Sequence, residues 1–264
     1  MPFGSSTLVR RGLVTLTAAA VLTSSILGLA ATNAIAQEST PSSPVASPAA
    51  SPAASPAAVT GTPVDVAGCW PDASTGQWMS MADGYTIFQQ WSTPPQMVID
   101  PAGHYTAIIH TTAGDITIQL LASDAPTTVN NFVCLAGHGF YDKTKLHRII
   151  AGFVVQGGDP TGTGTGGPGY QFADELPGDG LDYSAGTLAM ANAGANTNGS
   201  QFFITLADLS GQLPKNYTIF GKVIGGMDVV TALGNTPVTT SATGEASVPT
   251  QPVGVTGVTV VQNP

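Results

Sequence analysis

Few residues in this chain have the type and spacing that a reaction centre requires. Four histidines are present: His104, His110, His138 and His147. They show no metal-ligand spacing with one another or with cysteine, so the sequence predicts neither a metal nor any other cofactor. Gly157–Gly169 is rich in glycine but lacks the Gly-Lys-Ser/Thr ending of a phosphate-binding loop. Gly199-Ser200-Gln201 lacks the Gly-x-Ser-x-Gly spacing of a nucleophile elbow.

Arg148 is the residue that best fits a chemical role. Only five of the seven basic residues lie after residue 36, and Arg148 is in the middle of the apolar run Leu146–Ile150. A guanidinium is always charged and can donate hydrogen bonds to an atom on which an electron pair localises during a reaction. The alternative is that Arg148 is a solvated surface charge.

Three sequence blocks contain this arginine or follow it. They are Leu146–Asp159 (LHRIIAGFVVQGGD), Leu188–Ile204 (LAMANAGANTNGSQFFI) and Ile219–Val223 (IFGKV). Their residues, order and separation resemble the signature of cyclophilins, a family of peptidyl-prolyl cis/trans isomerases. The resemblance runs from about Tyr105 to the C-terminus and leaves the preceding residues unexplained. It implies an enzyme that isomerises X-Pro bonds, and the N-terminal pattern described below identifies the chain as an exported bacterial member.

The resemblance also implies which residues form the active site. Arg148 is implied as the catalytic arginine. The residues implied to bind substrate are Phe153, Val154, Phe203 and Leu213 in the proline pocket, Gln156, Ala191 and Asn192 on the substrate backbone, and His147 and Tyr217 at the edge. Without the surrounding motifs, the apolar members would be interpreted as ordinary core, and the two amides as partners of backbone groups.

The chain departs from the family pattern at several positions near this site. Ala151 and Ala195 stand where prolines are common, and Val154 stands where methionine is common, which keeps the pocket apolar. Counting back from Phe220 without gaps, Gln212 falls where many relatives carry Trp or Phe. Because that ring covers the cyclic peptide cyclosporin in many relatives, we expect only weak cyclosporin binding here.

The apolar pattern predicts an all-β-dominated fold with two short helices. Tyr105–His110 and Asp115–Leu120 read as a hairpin, and Pro126 opens a helix that Gly137 or Gly139 ends. Further strands are predicted at Leu146–Ile150, Val154–Gln156, Thr187–Ala191, Phe202–Leu206, Thr218–Val223 and Val253–Val261, and a second helix at Gly226–Leu233. With the resemblance, this predicts an eight-stranded antiparallel closed β-barrel, capped by two helices and preceded by a disordered N-terminal region.

The N-terminus has the pattern of an export signal. Arg10-Arg11 precedes the uncharged, largely apolar run Gly12–Ala31, and Ala34-Ile35-Ala36 resembles a cleavage site. Residues 1–36 are therefore predicted to be a signal peptide, and the protein is expected to be extracytoplasmic. The alternative is an uncleaved membrane tether through residues 12–31, since this run is near the length that spans a bilayer.

Two further segments precede the predicted isomerase domain at residues 100–264. Residues 37–63 are predicted to be a disordered linker, because Pro41–Ala58 repeats SPAA and its prolines forbid a continuous helix. Residues 64–99 form an extension that contains aromatic residues but shows no helical or strand periodicity. We expect residues 1–96 to be dispensable for catalysis on a short peptide.

The extension poses two questions that the sequence leaves open. Its aromatic residues include Trp70, Trp78, Tyr85 and Trp91. Such residues either pack onto a neighbouring domain or form a separate binding patch, and packing is the commoner outcome. Cys69 and Cys134 could form a disulfide in an oxidising compartment, but two isolated thiols provide no spacing signal.

Charge and composition limit the partners of this chain. Residues 37–264 hold sixteen acidic and five basic residues, a net charge of −11, so nucleic acid is excluded as a partner. The expected substrates are proline-containing polypeptides, bound by a monomer. Two other functions stay open: a proline-peptide binding or holdase module with little catalysis, and an envelope spacer.

Overall fold

The computed structural model describes residues 59–71, 76–80 and 87–264. The predicted signal peptide or tether and most of the predicted linker lie outside these described residues. Over the part of the chain that is described, no helix is long and apolar enough to cross a bilayer.

Most of the described strands belong to one antiparallel sheet. In chain order the strands are β1 (Thr62–Pro63), β2 (Gly76–Ser80), β3 (Ile87–Trp91), β4 (Tyr105–Thr111), β5 (Gly114–Leu120), β6 (Arg148–Ile150), β7 (Val154–Gly157), β8 (Thr187–Met190), β9 (Phe202–Thr205), β10 (Ile219–Gly225), β11 (Val238–Thr240), β12 (Ala246–Pro249) and β13 (Val255–Gln262). The large sheet has the order β1-β13-β4-β5-β10-β8-β9-β7-β6, while β2–β3 and β11–β12 form separate hairpins.

The mostly-β prediction is confirmed, and the predicted strands of the domain all occur. The order of the sheet ends at β1 and β6, so closure of the expected eight-stranded barrel stays a prediction. A ninth strand, β1, joins the eight expected ones by pairing with β13. Thr62 and Pro63, which were assigned to the disordered linker, are therefore strand residues.

The sheet is held together by an apolar core on one of its faces. In β5 the side chains of Ile116, Ile118 and Leu120 are buried, as their alternation with polar residues predicted. Phe132 packs over this face, with its ring 5.4 Å from that of Phe220 and 6.0 Å from that of Phe202. This core fixes the strands whose other face carries the candidate site.

Two helices cover the sheet, as predicted. Helix α1 (Pro126–Gly137) begins at the predicted proline, and α2 (Met227–Gly234) follows Gly226. Gly226 has φ +76°, and a Cβ there would clash with the carbonyl oxygen of Asp115, so this turn requires glycine. The first turn of α1 is capped from a distant loop, by Glu175.

The N-terminal extension packs against the isomerase domain. Cys69 and Cys134 of α1 form a disulfide. Trp70 and Trp91 stack with ring centroids 4.1 Å apart, and both rings lie edge-on against His138. The packing interpretation is thus confirmed for these two tryptophans, while the side chains of Trp78 and Tyr85 lie outside the described part.

Candidate active site

The register of three strands brings Arg148, Gln156 and Phe203 into one row. Arg148 of β6 is opposite Gln156 of β7, and Gln156 is in turn opposite Phe203 of β9. Directly opposed residues in antiparallel strands share a face, with Cβ atoms about 5 Å apart. The alternate residues, including Val155 and Ile204, belong to the main core. The row therefore presents a guanidinium, an amide and an aromatic ring on the face away from that core.

A pocket of about 150 Å³ opens beside this row. It is lined by Arg148, Phe153, Val154, Gln156, Ala191, Asn192, Phe203, Leu213 and Tyr217. A second apolar cluster lies beneath it, formed by Val154, Tyr183, Ala189, Phe203, Leu209 and Ile219. The floor is therefore buried and apolar, and polar groups stand at the edge. A cavity of this size and character suits a single small apolar ring.

Arg148 is held in place by two acceptors. Its Nε and Nη2 donate hydrogen bonds of 2.7 and 2.8 Å to the two carboxylate oxygens of Glu245, a bidentate ion pair. Its Nη1 donates a 3.2 Å hydrogen bond to Oε1 of Gln156. The hydrogen bonds from Arg148 hold the pKa of Glu245 below its ordinary value, so Glu245 is a carboxylate at neutral pH.

A series of hydrogen bonds leads from Gln156 away from Arg148. Its Nε2 donates to Oε1 of Gln201 at 3.1 Å, and Nε2 of Gln201 donates at 3.0 Å to the backbone oxygens of Gly164 and Gly166. The loop that carries these glycines folds around the buried Asp159 carboxylate. Burial would raise the pKa of Asp159, but hydrogen bonds from Thr161, Gly164 and Gly166 outweigh burial and lower it.

Asn192 and Tyr217 form the opposite edge of the pocket. Nδ2 of Asn192 donates to the backbone oxygen of Asn216 at 2.9 Å. The hydroxyl of the buried Tyr183 donates to the backbone oxygen of Tyr217 and accepts from its backbone N–H. The Tyr217 ring stands edge-on to Phe203, with centroids 5.6 Å apart. These bonds fix the ring that closes the pocket.

One of the predicted site residues does not line the pocket. His147 points instead toward the glycine-rich loop, where a Cβ at Gly164 would be 3.6 Å from its Cδ2 atom. Burial lowers the pKa of His147 below its ordinary value, so the ring is neutral at pH 7. Gln212 is exposed and lies next to Leu213, which does line the pocket.

Two residues of the site were missed by reasoning from the sequence. Gln201 belongs to the motif Leu188–Ile204, two residues before Phe203, and this alternation could have assigned it to the same face. Glu245 had no such signal, because it lies 97 residues from Arg148 beside a hairpin that was not predicted. Among the described residues, no group of three or more His, Cys, Asp or Glu side chains could hold a metal ion.

Comparison with known proteins matches this chain to one family. Residues 106–260 match the family described as cyclophilin type peptidyl-prolyl cis-trans isomerase/CLD. The chain is 52% identical to peptidyl-prolyl cis-trans isomerase-like 1 of Neurospora crassa over 133 residues, 49% of this chain and 80% of that protein. It is 45% identical over 177 residues to peptidyl-prolyl cis-trans isomerase A of Mycobacterium tuberculosis, covering 61% of this chain and 94% of that protein.

Solved structures agree with the sequence comparison. A crystal structure of a cyclophilin type peptidyl-prolyl cis-trans isomerase from Cryptosporidium parvum superposes with a TM-score of 0.56 at 39% identity, over 61% of this chain and 99% of that one. A second structure of that protein, with the dipeptide Ala-Pro present, has a TM-score of 0.55. The chain therefore belongs to the cyclophilin type peptidyl-prolyl cis-trans isomerase family and is an enzyme of that activity.

Proposed function

We propose that this enzyme is a bacterial folding catalyst that isomerises X-Pro bonds in exported proteins, with Arg148 as its catalytic residue. One observation carries the assignment of the site: the guanidinium of Arg148 stands at the edge of an apolar pocket of about 150 Å³ whose floor is Phe203. The pocket binds the pyrrolidine ring of proline, and Gln156 and Asn192 hold the adjoining backbone.

The reaction requires neither a nucleophile nor a metal. Rotation about the X-Pro amide breaks C–N resonance at a cost of about 18–20 kcal/mol, and no covalent bond is cleaved. The site must therefore bind the twisted amide more tightly than either planar form. As the amide twists, the proline nitrogen regains its lone pair and accepts a hydrogen bond from Arg148.

The arginine alone cannot supply the whole acceleration. A gain of about 10⁵ in rate needs roughly 7 kcal/mol, whereas one hydrogen bond to a charged group contributes about 1.5–3 kcal/mol. The remainder comes from the pocket, which holds the ring while Gln156 and Asn192 restrict the flanking backbone to conformations near the twisted state.

Two features support a location outside the cytoplasm. The apolar run Gly12–Ala31 follows Arg10-Arg11 as in an export signal. Cys69 and Cys134 form a disulfide, and disulfides form and persist in oxidising compartments. Fractionation of the source cells tests this proposal, and recovery of the protein only in the reducing cytoplasm would contradict it.

We extend the proposal to the scaffold, which closes as an eight-stranded barrel. Support comes from hydrogen bonds between the segment that precedes β6 and residues at or just before the start of β13: Leu146 N donates to Val253 O at 3.1 Å, and Val255 N donates to Thr144 O at 2.9 Å. Slow amide hydrogen exchange at Leu146 and Val255 is expected, since a closed barrel has no open edge there.

A protease-coupled assay with a proline peptide tests the catalytic role. The expected result is acceleration of cis-to-trans conversion in proportion to enzyme concentration. The competing function, a holdase that binds proline peptides without isomerising them, predicts binding with no change in rate. Arg148 favours catalysis, because peptide binding alone would not require a fixed donor beside the proline nitrogen.

A further inference from the structure

A second and larger pocket adjoins the proline pocket. Its volume is about 750 Å³, within the range of pockets that enclose ligands of drug size, and it shares Gln156, Ala191 and Asn192 with the smaller one. A peptide whose proline ring fills the small pocket can therefore extend its neighbouring residues along the larger one. None of the residues that line it carries a charged side chain.

One residue that lines this pocket comes from the N-terminal extension. Gln90 of β3 lines it, although the rest of the lining comes from residues 156–201 of the isomerase domain. Nε2 of Gln90 donates to the backbone oxygen of Gly167 at 2.9 Å. The backbone N–H of Trp91 donates to the backbone oxygen of Pro168 at 2.8 Å. At Gly169, where φ is +96°, a Cβ would stand 2.5 Å from the backbone oxygen of Trp91.

The glycine-rich loop at residues 164–169 is thus held from both sides. Gln201 binds its backbone from the side of the proline pocket, and Gln201 is itself linked through Gln156 to Arg148. Gln90 and Trp91 bind the loop from the opposite side. The extension therefore helps to set the shape of the second pocket.

The extension has the anchors that such a role requires. Trp91 is only 3% exposed, and the disulfide at Cys69 ties the extension to α1. Asn130 of α1 accepts from the backbone N–H of Val98 and donates to the backbone oxygen of Gln96. A segment fixed at this many points presents Gln90 at a defined position rather than as a loose tail.

We infer that the N-terminal extension is part of the substrate-binding surface, and that Gln90 is a specificity-determining residue for polypeptides longer than the X-Pro pair. The inference rests on the proposed isomerase function. The substrate class it names is an extended polypeptide with uncharged polar residues next to X-Pro, because the lining offers amide, hydroxyl and backbone groups for hydrogen bonds and no ion-pair partner.

The test compares two substrates in the full chain. One is a blocked X-Pro dipeptide, and the other is a longer peptide with the same X-Pro pair flanked by Ser, Asn and Gly, both followed by NMR exchange. Gln90→Ala is expected to raise the KM of the longer peptide roughly two- to tenfold, the range for loss of one hydrogen bond, and to leave the dipeptide unchanged. Gln96→Ala, at an exposed glutamine of the same extension, is the matched control.

A charge variant separates substrate contact from support of the loop. Gln90→Glu should lower the KM of a long peptide flanked by lysine and raise that of one flanked by aspartate. A role confined to loop structure would shift both values equally, and that result would overturn the inference. Loss of the disulfide in Cys69→Ala should raise the KM of long peptides while sparing the dipeptide.

The two proposals fail in different ways. If the unaltered enzyme isomerises neither substrate, the proposed function is wrong. The extension is not part of the binding surface if the unaltered enzyme isomerises both substrates but the two variants, Gln90→Ala and Cys69→Ala, do not separate them. That outcome would be either an equal proportional change in the KM of both substrates or no change in either.

Discussion

Hydrogen bonds within the protein occupy only some of the N–H groups of the Arg148 guanidinium. Three of its five N–H groups bind Glu245 and Gln156, so two remain to meet a substrate. The carboxylate and the amide also remove most of the rotational freedom of the side chain. A donor fixed before the substrate arrives needs no reorganisation as the amide twists, which is the condition for effective electrostatic stabilisation.

Removal of this donor should abolish most of the catalysis without unfolding the protein. Arg148→Ala is expected to lower kcat/KM for a proline peptide at least tenfold, since loss of one charged hydrogen bond costs more than 1.4 kcal/mol. The melting temperature should change little, because the ion pair with Glu245 is about one-third exposed and screened. Circular dichroism provides the control for folding, and equal activity in both proteins would refute the mechanism.

Glu245 should act through the arginine as a positioning residue. Glu245→Gln is expected to lower kcat about two- to fivefold with little change in KM, because a partly exposed ion pair contributes only a small free energy. The same substitution in an Arg148→Ala background should have no further effect. A decrease of equal size in both backgrounds would show that Glu245 acts independently.

The pH dependence of this pair has a definite sign. The hydrogen bonds from Arg148 depress the pKa of Glu245 below 4.5, so the pairing is complete above pH 4.5 and is lost as the pH falls through the lower folded-state pKa. The activity ratio between the unaltered enzyme and Glu245→Gln should therefore be constant above pH 4.5 and should approach one at more acidic pH.

At Gln212 the prediction concerns a large ligand. Cyclosporin should inhibit the unaltered enzyme only weakly, and Gln212→Trp should improve inhibition roughly 5- to 200-fold, because an indole face is worth about 1–3 kcal/mol against a large apolar ligand. The exposed position next to Leu213 is compatible with such a contact. Lys215→Trp at another exposed position is the control, and tight inhibition of the unaltered enzyme would contradict the prediction.

Whether a site residue can be predicted from the sequence depends on whether it lies in a local motif or reaches the site only through a tertiary contact. Arg148, Gln156 and Phe203 occur in two motifs, and the register of adjacent strands then places them in a row. Glu245 and Gln90 could not be found in this way. Each reaches the site through a hydrogen bond across about 80 to 100 residues of chain, and such tertiary contacts leave no local pattern.

The same distinction holds for whole elements. The hairpin β4–β5 and helix α1 were predicted because alternation and helical spacing are local properties. The hairpin β11–β12 was missed, because its strands are only three and four residues long and their burial is irregular. Strand β1 is only two exposed residues long and exists because β13 offers it a partner. Its presence could not be read from Thr62 and Pro63 alone.

Helix α1 depends on a cap that its own sequence lacks. Ala125 at the N-cap provides no side-chain acceptor. Glu175 supplies it, with Oε1 accepting from Thr127 N at 2.9 Å and Oε2 from Thr128 N at 2.8 Å. A carboxylate at this end of a helix accepts hydrogen bonds from the free N–H groups and also interacts favourably with the positive end of the helix dipole.

Loss of this cap should destabilise the fold. Glu175→Ala is expected to lower the free energy of unfolding by about 1–2 kcal/mol, the range for loss of a strong N-cap. Asp179→Ala is a matched control, since it removes an exposed carboxylate from the same loop. Chemical denaturation measures both variants, and equal changes in the two would show that the effect is one of net charge.

On the scale of the molecule, the extension and the isomerase domain share one core. Trp70, Trp91 and Cys69 belong to the same apolar cluster as Ile118 and Phe132. The described residues lie within a single compact unit, Ser51–Pro264. The apolar core thus includes residues that precede the family match at 106–260, and the boundary predicted at residue 100 stays a prediction.

Reduction of the disulfide should consequently lower the melting temperature of the whole unit. Cys69 and Cys134 are 65 residues apart, and a cross-link across a loop of this length removes unfolded-state entropy worth about 4 kcal/mol. For a domain of about 200 residues this corresponds to a fall of roughly 8–16 °C. Calorimetry with and without a reductant measures it, and Cys69→Ala should melt near the reduced protein and be insensitive to the reductant. A melting temperature that reduction leaves unchanged would show that the extension unfolds separately from the isomerase domain.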